Sequence, residues 1–500
     1  MNNKVKGLII GGVFILCLIV VMLALKLTAP KDDTSSAMDT SSTVETVKTY
    51  IYEYKSEDIK NIVVKNVFTD ERHNGQFTVT KQADNSFLVD EAEGFNQATS
   101  YTAAIANCAA AVAYQTLVEE NAEDLSKYGL AEPIAQFTVN FTDNTSKTIY
   151  VGSSSPADGY TYVCEGGKNT VYTVLTNSIY YFLATPENFV RTMLVEKPAD
   201  NAWPYLNSLK VTREDLPGGH VLFVADESEP EDEDYPTQVA AQMIIEPVYS
   251  YLDIVNSGAV THGIWGLTAS EIVILHPDEV DMQVGGIDKP YATVEYVCDN
   301  GDLKYNLLIG NPYYEADEDG EDTTTVAGYY AYLEGFDALL KLSVESASWA
   351  TFTIESVNST MMTSNYINSL DYMTIEITDG ENDATYHFDL DYDKVAQILH
   401  CDLNGEEIEE EYFKNFYLFF LKCPVEEIWM EEPTSECRMT ITVATRGGKV
   451  DTLEFFKDTE RRTIIKLNGV TSYRQTTTYL ERLISNLEGM LEGSEVVMEW

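Results

Sequence analysis

Apolar and polar residues alternate with a period of two along much of this chain, the pattern of strands that bury one face. Ile59 to Val67, Gln76 to Thr80 and Phe87 to Val89 are three such runs, with His73-Asn74-Gly75 turning the chain between the first two. The period then lengthens. Thr99 or Ser100 is placed to cap a helix that the Ala-rich stretch YTAAIANCAAAVAYQTL carries to Leu117, and its small residues let it lie close on a sheet. Ile134 to Phe141 returns to strand, Asp143-Asn144 turns the chain, and a second strand runs back to Gly152. Gly159-Tyr160-Thr161-Tyr162 supplies a further strand, and Ser178 to Leu183 and Glu187 to Leu194 are predicted as short closing helices.

The middle of this pattern returns. Asp124 to Gly152, DLSKYGLAEPIAQFTVNFTDNTSKTIYVG, recurs from Asp281 to Gly310 as DMQVGGIDKPYATVEYVCDNGDLKYNLLIG. Gly129, Leu130 and Pro133 match Gly286, Ile287 and Pro290 at a constant offset of 157 residues, and Gly152 matches Gly310 after one insertion. The glycine allows a positive φ, the apolar residue after it enters the core, and the proline opens a strand where its missing N–H breaks no ladder bond. What recurs is Gly, Pro and apolar residues, so a fold unit is duplicated and not a reaction centre.

A second module is predicted from Leu206-Asn207-Ser208-Leu209 onward, with a weaker helix over 259–275. Ile367-Asn368-Ser369-Leu370 echoes that start and opens a degenerate third copy without the Gly-Leu-x-x-Pro motif. Its expected elements are strands at Met373 to Thr378 and Ala384 to Leu390, a helix from Tyr392 to Leu399 capped by Asp391, and a helix from Glu411 to Leu421. Strands at Arg438 to Thr445, Val450 to Phe456 and Thr463 to Leu467 follow, and a helix from Thr477 closes it. The fold class is α+β: tandem sheet-rich repeat modules, mostly antiparallel with packed helices, behind one N-terminal transmembrane helix.

That helix is Gly7 to Leu25, nineteen residues without a charge, long enough for a bilayer and followed by no small-x-small cleavage site. The expected organisation is a signal anchor at 1–28, a flexible Ser/Thr/Asp linker at 29–54, module one at 55–197, module two at 198–356 and module three at 357–492. The localisation this implies is the cell membrane, crossed once, with the bulk of the chain outside the cytoplasm.

Charge narrows the partners. The chain holds 32 Lys and Arg against 81 Asp and Glu, a formal net of −49, which repels nucleic-acid phosphates and anionic headgroups. Against this background the stretch Arg438 to Arg482 carries nine basic and five acidic residues. Arg446, Lys449, Arg461 and Arg462, in or beside predicted turns, are the candidate partner-binding patch, with internal pairing to acidic loops as the alternative.

Reactive motifs are missing from the sequence: no His-Glu-x-x-His, Walker loop, Gly-x-Ser-x-Gly or Cys-x-x-Cys occurs. Glu315, Asp317 and Asp319, with Gly320, fit the opening positions of a calcium loop, but Val326 stands where its bidentate Glu belongs, so they are weak metal candidates. No cofactor and no catalytic residue is expected.

Tyr128-Gly129-Leu130 with Pro133, the strand ending in Val151-Gly152, the later Tyr-x-Tyr and the preceding Ala-rich helix together resemble the repeat of the domain of unknown function 4340 family. The resemblance covers residues 55 to about 345 and more faintly the remainder to 490. It implies a membrane-anchored bacterial protein associated with ABC-transporter components of the gliding-motility type, and it brings no catalytic residues. The expected function is a non-catalytic extracytoplasmic accessory or scaffold subunit of such a transport or cell-surface system, partnered by integral-membrane subunits. A binding module for cell-wall glycan or peptide is the alternative, and a surface hydrolase the third reading.

Overall fold

The alternation becomes three large antiparallel sheets in the computed structural model, which describes residues 48–67, 75–199, 202–226, 240–316, 322–363, 365–378, 380 and 383–500. The predicted anchor, the linker up to residue 47, and both Asp317 and Asp319 lie outside the described residues. Among the described residues no helix is long and apolar enough to cross a membrane.

Up to Leu175 the strands are β1 (Thr49–Glu53), β2 (Ile59–Asn66), β3 (Gln76–Lys81), β4 (Phe87–Val89), β5 (Ala111–Tyr114), β6 (Thr116–Glu119), β7 (Ala135–Phe141), β8 (Ser146–Ser154), β9 (Tyr160–Glu165) and β10 (Val171–Leu175). The next set is β11 (Leu206–Arg213), β12 (His220–Ala225), β13 (Gln242–Glu246), β14 (Ser250–Tyr251), β15 (Glu271–Leu275), β16 (Ala292–Cys298), β17 (Leu303–Ala316), β18 (Asp322–Leu333) and β19 (Phe336–Ser343). The last is β20 (Leu370–Ile377), β21 (Ala384–Asp393), β22 (Ile398–Leu403), β23 (Glu406–Ile408), β24 (Glu427–Ile428), β25 (Cys437–Thr445), β26 (Val450–Lys457), β27 (Arg462–Leu467) and β28 (Val470–Thr476).

The second sheet runs β14-β13-β12-β11-β16-β17-β18-β19-β15 and the third β23-β22-β21-β20-β25-β26-β27-β28-β24, the same order counted from the first strand of each. The first sheet, β4-β3-β2-β7-β8-β9-β10-β6, is that order without one outer strand. Each copy lays down a meander, sends one short strand to the far edge, returns to the centre and meanders outward to meet that strand. The stretch from Leu370 therefore has the topology of the other two copies although it lacks their Gly-Leu-x-x-Pro motif.

The central pair shows why one topology accepts three different sequences. β2, β11 and β20 each slip register after their first residue, at Ile59, Leu206 and Leu370, and then alternate. The slip puts Ile62 and Val64 against Val139 and Phe137, Leu209 and Val211 against Tyr296 and Val294, and Met373 and Ile375 against Val443 and Ile441. All twelve are buried. Leu370 is thus the counterpart of Leu206, and the likeness of Ile367-Asn368-Ser369-Leu370 to Leu206-Asn207-Ser208-Leu209 is out of step by three residues. The inward-facing positions, and not the tetrapeptide, set the register.

Several predicted helices are corrected. The Ala-rich helix spans Thr99–Ala110 and stops there, because Ala111–Tyr114 pairs with β1 and Thr116–Glu119 is the far-edge strand of the first sheet. The expected helix at 259–275 is one turn, Gly258–Thr261, followed by the far-edge strand β15. Tyr392 to Leu399 is a hairpin: Asp393 accepts from the Val395 and Ala396 backbone N–H groups and closes the turn between β21 and β22. The helices Glu410–Leu421 and Thr477–Leu491 form where expected and pack on the third sheet through Phe413, Phe416, Phe420, Leu480 and Leu483.

Residues Tyr50–Trp500 form one compact unit. The cores of the first two sheets are continuous, while the third has its own, which takes in Met243 and Tyr251 from the second. At that second joint Lys449 and Asp226 form an ion pair at 2.8 Å, each side chain 3% exposed. Lys449 Nζ also lies 4.4 Å from the centre of the Tyr251 ring, and the Tyr251 hydroxyl donates to Asp451 at 2.6 Å. Asp451 accepts further from Thr363, Asn365 and Asn468, so this buried carboxylate is held by four side chains.

Candidate functional site

The first joint carries a concave surface. Thr185 and Asn188 reciprocally cap the short turn Pro186–Phe189, with proline at its first position. The chain then runs extended as a strap between the two sheets. On one side Ala98 and Arg191 N–H groups donate to Phe189 and Asn96 carbonyls, both at 2.7 Å, and on the other Ala269 and Leu194 N–H groups donate to Thr192 and Leu267 carbonyls, both at 2.8 Å. Three clefts follow the strap. The first, about 200 Å³, is lined by Tyr101, Tyr180, Tyr181, Leu183, Asn188 and Phe189. The second, about 500 Å³, shares Tyr101 and Asn188 with it and adds Arg191, Met193 and Glu271. The third, about 480 Å³, shares Met193 with the second and ends at Phe95, His276 and Asp337.

The tyrosine cleft is built from two distant segments. Tyr101 stands in the first turn of the helix Thr99–Ala110, and Tyr180 and Tyr181 belong to the turn Tyr180–Leu183. Phe182 is fully buried and stacks on Phe137 at 3.8 Å, while Asn66 Nδ2 donates to the Phe182 and Ala184 carbonyls at 3.1 and 2.8 Å. This clamps the segment with its tyrosines outward. The Tyr101 and Tyr180 rings each contact the Tyr181 ring at 5.8 Å. Tyr180 is 66% and Tyr101 48% exposed.

At the other end His276 adopts a left-handed conformation, φ 52°, and its Nδ1 lies 2.7 Å from Asp337 Oδ2. Phe95 of the first sheet's segment packs 5.3 Å from both the His276 and Phe336 rings. Among the described residues no Ser, Thr or Cys lines this cleft, and the His–Asp pair stands beside the Phe95 ring.

Residues 91–257 match the family described as Domain of unknown function (DUF4340). Over that stretch the match supports the resemblance to the DUF4340 family carried by the Gly-Leu-x-x-Pro motif and the Ala-rich helix. No curated protein and no solved structure matches the chain. The DUF4340 match is narrower than the 55–345 expected from the repeated motif: it holds the first Gly-Leu-x-x-Pro copy and ends before the second. It does not coincide with one sheet. It takes in the helix and later strands of the first, the whole strap and tyrosine cleft, and the second sheet as far as β14.

Within the DUF4340 stretch the motif residues form a knuckle on a bulged strand. Gly129 has φ 66° and closes the turn Leu125–Tyr128, and Leu130 drops into a satellite core with Ala122, Cys164 and Val171. Gly152 lies under the Tyr128 carbonyl oxygen where a Cβ would overlap it, at a register slip between Val151 and Ser154. Gly286, φ 70°, Ile287 and Gly310 repeat the arrangement, with Gly310 under the Gly285 carbonyl and the slip between Ile309 and Pro312. Pro133 and Pro290 stand just before β7 and β16. Gly152-Ser153-Ser154 is therefore bulged strand.

The proposed basic patch does not assemble. Arg446 and Lys449 lie in the turn between β25 and β26, Arg461 and Arg462 at the turn between β26 and β27, and the eight residues of β26 separate the two ends by about 25 Å. Lys449 is buried in the ion pair with Asp226, and Arg446 donates to the Asn368 and Leu390 carbonyls at 2.6 and 2.9 Å. Arg462 pairs with Glu426, while Arg461 is exposed. Lys457, Lys466 and Arg474 pair with Glu460, Glu432 and Asp458, so the basic stretch spends its charge on its own acidic neighbours.

Glu315 is exposed near the end of β17, and pairing of Tyr314 with Val326 and Ala316 with Asp322 makes both ends of the would-be calcium loop strand. Among the described residues no group of three His, Cys, Asp or Glu is placed to hold a metal. The six cysteines among the described residues stand as free thiols, and burial pushes Cys164 and Cys298 up to about 11 and Cys401 up to about 12, away from thiolate chemistry. Nothing in the sequence pointed to Tyr101, Tyr180 and Tyr181 as a group, since the two segments lie some 80 residues apart.

Proposed function

We propose that this chain is a non-catalytic accessory or scaffold subunit of a membrane transport system of the ABC type, or of a cell-surface system. In this reading the apolar segment Gly7 to Leu25 tethers it and the three sheets stand outside the cytoplasm. The observation that carries the reading is the joining of three sheets of one strand order into a single unit through two packed joints. Such an array holds separate surfaces at fixed distances, which suits a subunit that positions others. Cross-linking in native membranes followed by mass spectrometry of the captured partner tests it. Permease subunits are expected; recovery of wall polymers, or of nothing, overturns it.

The tyrosine cleft favours a second reading, a module that binds cell-wall glycan or peptide. Aromatic rings left 48–66% exposed at the edge of a clamped cleft offer an apolar face with a polar rim, the composition of ligand sites. Co-sedimentation of the full chain with purified wall polymer tests that reading, and failure to sediment removes it.

A further inference from the structure

We propose that the cleft formed by Tyr101, Tyr180 and Tyr181 is a subsite for one uncharged sugar ring of an oligosaccharide, an inference that rests on the glycan-binding reading above. Three observations converge. The first is shape: at about 200 Å³ the cleft is smaller than the roughly 300–1,000 Å³ of sites that enclose a whole drug-sized ligand, so it takes one ring of a longer chain.

The second is unspent hydrogen bonding. Among the described residues the hydroxyls of Tyr101, Tyr180 and Tyr181 have no protein partner, and Asn188 uses its Oδ1 on the Thr185 N–H at 2.9 Å while its amide N–H groups have none. Three hydroxyls and one amide donor around ring faces match the ring hydroxyls and C–H face of a pyranose. The Asn66 clamp and buried Phe182 hold these groups in place before any ligand arrives.

The third is charge. In a chain of net −49 no Asp, Glu, Lys or Arg among the described residues lines this cleft, whereas Glu187, Arg191 and Glu271 line its neighbour. An anionic ligand would meet the field of the whole chain without a local cation to offset it. A neutral ring meets neither penalty. The second cleft, which shares Tyr101 and Asn188, gives the adjoining sugars a path along the strap.

Isothermal titration of the full chain with a β-1,4-linked N-acetylglucosamine hexamer, and separately with a proline-rich decapeptide, tests this. The hexamer is expected to bind with little dependence on salt. Tyr180→Ala and Tyr101→Ala each weaken it about tenfold, while Tyr180→Phe keeps most of the affinity because the ring remains. Tyr180 is the most exposed aromatic among the described residues, so its variants keep the native melt and a lost signal reports binding. If the hexamer binds but both alanine variants bind equally well, the site is wrong and the glycan reading stands. If the peptide binds and the hexamer does not, the sugar subsite falls and only the peptide arm of that reading stands; if neither binds, both fall.

Discussion

The glycines of the repeated motif fail as alanines for two separate reasons. At Gly129 and Gly286 the backbone is left-handed and a Cβ would also meet Ser153 N at 2.7 Å or the Asn311 side chain at 2.6 Å, so each alanine costs about 1 kcal/mol or more. At Gly152 and Gly310 the obstacle is a backbone carbonyl oxygen, which no side-chain rotation relieves, and the cost is larger. Gly258 has open space around its Cβ position, and Gly258→Ala serves as the neutral control. Thermal melts of the five variants give the expected order, Gly258 least and Gly152 or Gly310 most. Equal melts would leave the recurrence of these glycines without a physical cause.

Elements were legible where their cause is local. β7 and β16 read directly from alternation, bury every second residue, and are paired as expected. The helix Glu410–Leu421 read correctly because its phenylalanines recur at helical spacing. The far-edge strands β6 and β15 were hidden, since both are short and their conformation is set by β10 and β19, strands that lie much further along the chain. Asp391 misled for a related reason: an Asp before an apolar run looks like a helix cap, yet Asp393 spends its carboxylate on a hairpin turn. The tyrosine cleft could not be read at all, because it joins residues that only the fold brings together, whereas the Asp226–Lys449 pair realises the alternative of internal pairing with an acidic loop, its particular partner being set by the fold.

The second joint gives the clearest test at this scale. Lys449→Met leaves Asp226 buried beside an apolar chain and should cost about 3–5 kcal/mol, whereas adding Asp226→Leu restores much of the loss. Denaturant titration of the two variants checks it. A single variant that melts with the native chain would show that the pair contributes nothing to the joint.

In the whole molecule the two joints are unlike. The first two sheets share a continuous apolar core, whereas the third meets the second through Met243, Tyr251 and a polar network. Calorimetry should therefore show the first two sheets melting together, and Lys449→Met should split off an earlier transition belonging to the third. Three separable transitions in the native chain would mean that the shared core does not couple its halves. The family boundary at 91–257 agrees with the tighter first joint, because it encloses the strap that binds both sheets.

The strand order also fixes a timetable during synthesis. In each copy the first strand waits at an open edge for a central partner that arrives late: Ile62 for Val139, Leu209 for Tyr296, Met373 for Val443. At translation rates of about 5–20 residues per second, such a wait lasts on the order of 4–17 s, with the first strand's edge unpaired. Three such intervals follow one another, and each leaves an apolar strand open to the wrong neighbour from another copy of the same topology. The sequences of the three first strands, IKNIVVKN, LNSLKVTR and LDYMTIEI, differ strongly while each buries its first, fourth and sixth residues. That divergence keeps a nascent copy from mistaking its sibling's partner for its own.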